Sequence, residues 1–384
     1  MNPLTIWQLD PANLTPFYNI ALCDALAQAG CRVRYMTTRF IYDQELTVPN
    51  TYTTDYLYFK GLNHPRLLNR PRLRRILRAL SYPLGHWQVL READEQRPDV
   101  MHIQWSRLPA LDLELVMRLK RLNIPVVHTI HDVVPLFAQH SSTDRLRAIY
   151  GMADRLIVHT QANVDDLVTV FPELQRERIR IIPLVTQVAM PEATMEEART
   201  LLNLPLNAPV FLFFGAIRHY KGLDVLLAAF EQVVAARPDA HLIVAGRADP
   251  LERDKIPALD HLPPNVHLIE GFIPDKEVWV YHMAADAAVY PYRHIYQSAA
   301  LTTAMGYGKA IIATEVGGLA ENIDGNGWLV PPEDPTTLAE ALLVAAEDRE
   351  QLAMMGARSR ELIETRYAPS IVAERLIAIY KELI

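Results

Sequence analysis

Cysteine is scarce in this 384-residue chain. Cys23 and Cys31 are its only two. They form no disulfide framework and no pair with metal-ligand spacing, so a reducing, cytoplasmic setting is expected. Long apolar runs are missing as well. No stretch of about 18 apolar residues occurs, which excludes a spanning helix. Met1–Thr15 lacks the basic start and apolar core of a secretory leader. Three phosphate and nucleophile signatures are also absent. No Gly-x-Gly-x-x-Gly follows the first strand, no Gly-x-x-x-x-Gly-Lys-Ser/Thr occurs, and no Gly-x-Ser-x-Gly occurs. These absences argue against a dinucleotide oxidoreductase, a P-loop NTPase and a nucleophile-elbow hydrolase. Excess positive charge is lacking too: the net charge is −7, which argues against a nucleic-acid binder.

What remains is a globular composition, 50% hydrophobic and 22% charged. The length suggests two or three domains. Short apolar runs alternate with helical patterns from Leu4–Leu9 to Ile179–Pro183. The pattern lapses over Leu184–Ala208 and restarts at Val210–Phe214. Strand–helix alternation of this kind predicts parallel sheets covered on both faces. The expected fold class is α/β, with two doubly wound, Rossmann-like domains facing across a cleft. The expected boundaries are 1–186, 187–368 and a C-terminal helix over 369–384 that packs back on the first domain.

Two segments carry phosphate chemistry. Phe213–Gly222 starts at a strand end and turns at Gly215. It then offers Arg218 and Lys221 just before a helix. A helix N-terminus with a forked and a point cation suits a diphosphate. The second segment ends its strand at Tyr290 and restarts a helix at Gln297-Ser298, with Ser298 as N-cap and small Ala299 and Ala300 behind it. His128-x-x-His131-Asp132 suggests a metal, but on a strand the two histidines point to opposite faces, so no metal is expected.

Taken in order, these segments resemble the retaining glycosyltransferases of family 4 (group 1), which have the GT-B fold. The resemblance runs through Phe214–Gly222, Leu242–Gly246, Gly271-Phe272-Ile273-Pro274, Ala284-Ala285-Asp286, Gln297-Ser298, Gly308-Lys309 and Gly317-Gly318-x-x-Glu321. In the first half it rests on Pro98–His102, Val127–Asp132 and Ala153–His159. It implies that the second domain binds a nucleotide-sugar, a UDP or GDP sugar, as co-substrate without further cofactor. Arg218 and Lys221 would neutralise the diphosphate, joined by Gly215, Gly246, Arg293, Gln297, Ser298, Ala299, Ala300 and Thr303. Gly271, Phe272 and Ile273 would lie near the base. His131 matches the family histidine beside the donor sugar, with Asp132 supporting its loop. The family commonly has two glutamates where Ile295 and Thr303 stand. A branch beginning Arg-x-x-x-Gln-Ser-Gly is similar to Arg293–Ser298, with Ala299 in place of its glycine. The resemblance implies front-face transfer of a hexosyl group, in cell-surface polysaccharide or glycolipid synthesis. A GT-B-fold epimerase and a non-catalytic binding homologue are the alternatives.

The acceptor expected for the first domain is a saccharide or lipid-linked molecule. No acid occurs between Asp55 and Glu92, while Lys60, Arg66, Arg70, Arg72, Arg74, Arg75, Arg78 and Arg91 do. From Pro71 on, Leu73, Ile76, Leu77 and Leu80 share a helical face. The expectation is that Arg66–Leu80 docks on the inner face of an anionic membrane.

Overall fold

The computed structural model describes residues 3–41, 43, 46–62, 70–133, 140–248 and 250–384. It forms two units, Met1–Val185 with Pro369–Ile384, and Thr186–Ala368.

In the first unit β1 (Thr5–Leu9), β2 (Arg32–Thr37), β3 (Thr53–Tyr56), β4 (Val100–Ile103), β5 (Val126–Thr129), β6 (Arg155–Val158) and β7 (Ile179–Ile181) make one parallel sheet. Its order is β3-β2-β1-β4-β5-β6-β7. β3 was not anticipated: its sequence, TTDY, has no apolar run, and it holds its place at the sheet edge by backbone pairing with β2. Helices α1 (Pro16–Gln28), α2 (Pro71–Gln96), α3 (Pro109–Arg121), α4 (His140–Met152) and α5 (Gln161–Val170) connect the strands. Proline at the first turn of α1, α2 and α3 fits there because those amides need no intrahelical partner.

α2 is longer than the sequence pattern suggested. It runs through Pro83, which sits on its exposed side. Its inward face, with Tyr82, His86, Val89 and Ala93, is buried. There His86 Nε2 lies 3.0 Å from the buried Asp112 carboxylate, and the Tyr82 hydroxyl donates to the same oxygen at 2.7 Å.

In the second unit β8 (Val210–Phe214), β9 (His241–Gly246), β10 (Val266–Glu270), β11 (Ala287–Tyr290), β12 (Ala310–Thr314) and β13 (Gly327–Val330) pair in the order β10-β9-β8-β11-β12-β13. β13 was also missed. It opens on Gly327, where a Cβ would come within 1.9 Å of the Ile311 carbonyl oxygen. Around the sheet lie α6 (Met195–Leu201), α7 (Leu223–Ala236), α8 (Pro250–Arg253), α9 (Asp275–Ala284), α10 (Ala299–Gly306), α11 (Gly317–Ala320), α12 (Pro335–Glu347) and α13 (Arg349–Leu362). Runs such as VFLFF in β8 and AIIAT in β12 are buried almost throughout, as strands covered on both faces must be.

After Ala368 the chain returns to the first unit as α14 (Pro369–Lys381). Val372, Ala373 and Leu376 are fully buried in one core with Ile6, Leu22 and Leu26. Burying a leucine of this kind stabilises by about 1.5–3 kcal/mol. The Tyr380 hydroxyl lies 2.6 Å from His102 Nδ1 on β4, so the helix is held by polar as well as apolar contacts.

Candidate active site

The second sheet changes direction between β8 and β11, which are neighbours in space but not in sequence. In open α/β sheets ligands bind beyond the carboxyl ends of the strands at such a switch point. Both phosphate-type segments leave the sheet there.

Gly215 follows β8, and its N–H donates to the Ala245 carbonyl at 2.9 Å. Gly215 has a φ of +122°, and a Cβ there would lie 3.1 Å from Lys221 Nζ and 3.6 Å from the Ala300 methyl. The lysine amine and the first turn of α10 therefore flank one bare backbone position. Lys221 is buried, and burial lowers its pKa, with Arg218 adding to the effect. Among the described residues no carboxylate pairs with it. Its ammonium sits 5.1 Å from the centre of the Tyr292 ring. Ser298 caps α10 by accepting from the Leu301 N–H at 3.2 Å. That leaves the Ala299 and Ala300 amides at the helix N-terminus, where positive potential gathers.

The loops are held by close approach. A Cβ on Gly222 would fall 1.9 Å from the Pro291 carbonyl oxygen, and one on Gly246 would fall 1.8 Å from that of Gly215. Gly271 N–H donates to the Gly246 carbonyl at 3.1 Å, so Gly215, Gly246 and Gly271 end three adjacent strands side by side. Phe272 and Ile273 follow, half-buried.

Arg293 is drawn into the same pair of loops. Expected as a donor contact, it has its guanidinium taken up within the protein. It donates to both Asp224 carboxylate oxygens at 2.9 and 2.7 Å, to Glu333 at 2.9 Å and to the His219 carbonyl at 2.7 Å. Its N–H donates to the Tyr220 carbonyl at 2.8 Å. Arg293 thus holds the Arg218–Lys221 turn against the loop after β11. Asp224, one turn into α7, went unnoticed in the sequence because its partner lies 69 residues away. Ile295 offers only its carbonyl, which accepts from Gly318 N–H at 3.2 Å. Thr303 is half-buried on α10, and no acid stands at either position.

In the first unit the strand ends gather a different set. Asp10, beyond β1, is fully buried and accepts from the Ala12, Asn13 and Leu14 amides and from the Asn19 side chain. Burial lifts its pKa to about 6 against the pull of those amides. His131, beyond β5, is buried, with Trp105 stacked on it at 4.6 Å and 14°. Tyr18 meets it edge-on at 5.3 Å. His131 Nδ1 lies 3.2 Å from His159 Nε2, and His159 Nδ1 lies 2.9 Å from the Ile182 carbonyl oxygen. Burial, then the neighbouring His159, push the His131 pKa well down. His128 turns elsewhere: its Nε2 lies 2.9 Å from the Ser106 hydroxyl. Asp132 is half-buried near Tyr150, whose pKa is raised chiefly by burial and then by that carboxylate. Among the described residues no cluster of three or more His, Cys, Asp or Glu is arranged to hold a metal ion.

Two parallel, doubly wound units, the second with the buried Lys221 and the start of α10 at its switch point, make an α/β protein of the GT-B class. Comparison with known proteins narrows this. Residues 208–348 match the family described as "Glycosyl transferases group 1", and residues 17–185 match "Glycosyltransferase Family 4". The D-inositol 3-phosphate glycosyltransferase of Corynebacterium kroppenstedtii is 28% identical over 285 residues, 68% of this chain and 62% of that one. Similar glycosyltransferases are likewise spanned only to about 65–66% of their length. Among solved structures, sucrose-phosphate synthase from Thermosynechococcus elongatus superposes with a TM-score of 0.75 at 22% identity, over 99% of each chain. HepE of Anabaena in complex with UDP gives 0.75 at 18%, over 99% and 100%. The chain belongs to glycosyltransferase family 4 and has the GT-B fold.

Proposed function

We propose that this protein transfers a hexosyl group from a nucleoside diphosphate sugar to a saccharide or lipid-linked acceptor, with retention, in the synthesis of a cell-surface polysaccharide or glycolipid. The observation that carries the reading is Lys221: a buried cation at the switch point, beside bare Gly215 and the free start of α10, with no carboxylate partner among the described residues. Such a charge is costly unless an anion completes it. Charge builds on the leaving diphosphate during transfer, and fixed cations and amides stabilise it. Arg218 is half-buried in the same turn and adds a forked donor. In this reading Gln297 to Ala300 contact the phosphates, Gly271 to Ile273 lie near the base, and His131 with Asp132 serve the sugar. UDP is the favoured base-diphosphate, since HepE of Anabaena has been solved with UDP and with UDP-glucose. Lys221→Ala tests the reading: nucleotide affinity and turnover are expected to fall together while the folded circular dichroism spectrum persists. Unchanged transfer would remove the phosphate assignment. Incubating a nucleotide-sugar without acceptor separates transfer from epimerisation, because an epimerase converts the donor alone.

We also infer that the protein works at the inner face of an anionic membrane, through α2. Of the expected Arg66–Leu80 segment, residues 66–69 lie outside the described residues. From there the helix carries Leu73, Ile76, Leu80, Leu84 and Trp87 on one narrow stripe, 41–71% exposed. This stripe lies opposite the buried Tyr82–Ala93 face. Exposed Arg72 and Arg91 accompany it, and the Arg91 guanidinium lies 5.5 Å from the centre of the Trp87 ring. Aliphatic and indole side chains beside arginines suit an interfacial helix. No helix among the described residues is long and apolar enough to cross a membrane. Flotation with phosphatidylserine vesicles at low salt is expected for the full chain and is expected to fail for Leu84→Glu with Trp87→Glu. Absence of wild-type flotation would sink this reading.

A further inference from the structure

We propose that Tyr292 is a positioning residue for Lys221: its ring face holds the ammonium at the switch point without neutralising it, so that the charge stays open to an anionic ligand. That the ligand is a nucleoside diphosphate rests on the reading above; the hold of the ring on the ammonium does not.

A buried ammonium needs a counterpart. Burial first, and the Arg218 charge after it, act against the Lys221 cation. Among the described residues no carboxylate pairs with it. Instead its Nζ stands over the Tyr292 ring, 5.1 Å from the ring centre. The face of a phenol ring is electron-rich and attracts a cation within about 6 Å. It carries no net charge, so it satisfies the ammonium only in part. A carboxylate in the same place would close the pair and repel a phosphate. Tyr292 does not become such an anion: burial raises its pKa against a smaller pull from Ser298, and the phenol stays neutral.

The ring has little freedom to follow the lysine. Tyr292 is fully buried. Tyr290 meets it edge-on at 5.7 Å and 89°, and Tyr220 does so at 6.3 Å and 77°. Its carbonyl accepts from the Thr314 hydroxyl at 2.6 Å, which ties it to the end of β12. The neighbouring Pro291 carbonyl oxygen lies 1.9 Å from where a Cβ on Gly222 would stand, so this loop and the Lys221 turn are pressed together. Gly215 adds no side chain near the amine, although a Cβ there would lie 3.1 Å from Nζ. The ammonium is thus held by a fixed ring and left uncrowded at Gly215.

The test changes the electrons of the ring and keeps its shape. In the full chain Tyr292 is replaced by phenylalanine and by phenylalanines carrying one, two and three ring fluorines, each with Lys221 present and in Lys221→Met. UDP is titrated by calorimetry at neutral pH. Each fluorine drains the ring face and is expected to weaken UDP binding about two- to threefold, reaching about ten- to thirtyfold for three, the span of a desolvated cation–π pair. Tyr292→Leu should lose a similar amount, and Tyr292→Phe should bind more tightly than Tyr292→Leu. In Lys221→Met the same fluorines should change the remaining affinity little. A flat series with Lys221 present overturns the proposal. An equal fall in Lys221→Met overturns it too, because the ring would then act by packing alone. The melting temperature of the nucleotide-free protein reads the pair without any ligand. It should fall along the series with Lys221 present and stay level in Lys221→Met; a level series in both overturns the hold. If the melting temperature falls as expected while wild type and Lys221→Met bind UDP alike, or neither binds it, the diphosphate reading is defeated and the hold stands.

Discussion

The Arg293 guanidinium straddles the Asp224 carboxylate, one nitrogen to each oxygen at 2.9 and 2.7 Å. This pair ties the loop after β11 to the start of α7, and the turn between them carries Lys221. Asp224→Asn keeps the shape and removes the charge. Part-exposed pairs of this sort contribute about 1 kcal/mol or less to stability. A small drop in melting temperature is therefore expected, with a several-fold rise in KM for the nucleotide-sugar and little change in kcat. Titration calorimetry with the nucleoside diphosphate checks it; unaltered affinity would mean that the turn holds itself.

Lys221 is expected to trade stability for function. It is buried without a carboxylate partner among the described residues, so the empty protein bears its desolvation cost. Lys221→Met should therefore raise the melting temperature of the nucleotide-free protein. It should lower turnover by about a hundred- to a thousandfold, the usual loss when one charge-stabilising donor is removed. A lower melting temperature would point to a structural role.

Gly222 and Gly246 should tolerate no side chain. Gly222 has a φ of +65°, and its added Cβ would strike the Pro291 carbonyl oxygen. The backbone conformation alone costs about 1–2 kcal/mol for another residue. Gly222→Ala and Gly246→Ala should each melt several degrees lower and bind nucleotide more weakly. By contrast a Cβ at Gly271 meets nothing within 4 Å, so Gly271→Ala should melt like wild type.

The first unit should be acid-labile. His102, His128 and His159 are buried, and burial depresses their pKa values to about 3, 4 and 4. The unfolded chain takes up protons near pH 6.5 and the folded one does not, so stability is full above about pH 6.5 and falls as pH drops toward 4. Each histidine contributes at most about 1.4 kcal/mol per pH unit in that window. Thermal melts between pH 7.5 and 4.5 should show the decline. His102→Gln should soften it, and a flat profile would contradict the neutral assignments.

Much of the candidate site was legible because its residues are close in sequence. Gly215, Arg218 and Lys221 lie within seven residues, and Ser298 to Ala300 open one helix, so strand-end and cap rules were enough to mark them as candidates. The internal partners of Arg293 were hidden for the opposite reason. A solitary arginine in a loop looks available until its acidic partners, 69 and 40 residues away, are placed beside it. His159 and Trp105 were passed over on the same ground: their meaning lies in facing His131, 28 and 26 positions away along the chain. The edge strand Thr53–Tyr56 carried no apolar signal, because backbone pairing to β2 defines it.

The sequence by itself determined the class of the fold, through alternating periods, and the candidate Gly215–Lys221 turn, through glycine and cation spacing. Tertiary structure alone decided which described charges find an acidic partner and which rings surround His131. Those properties depend on distances across the sheet and on exclusion of water, and neither is written in the order of residues along one strand.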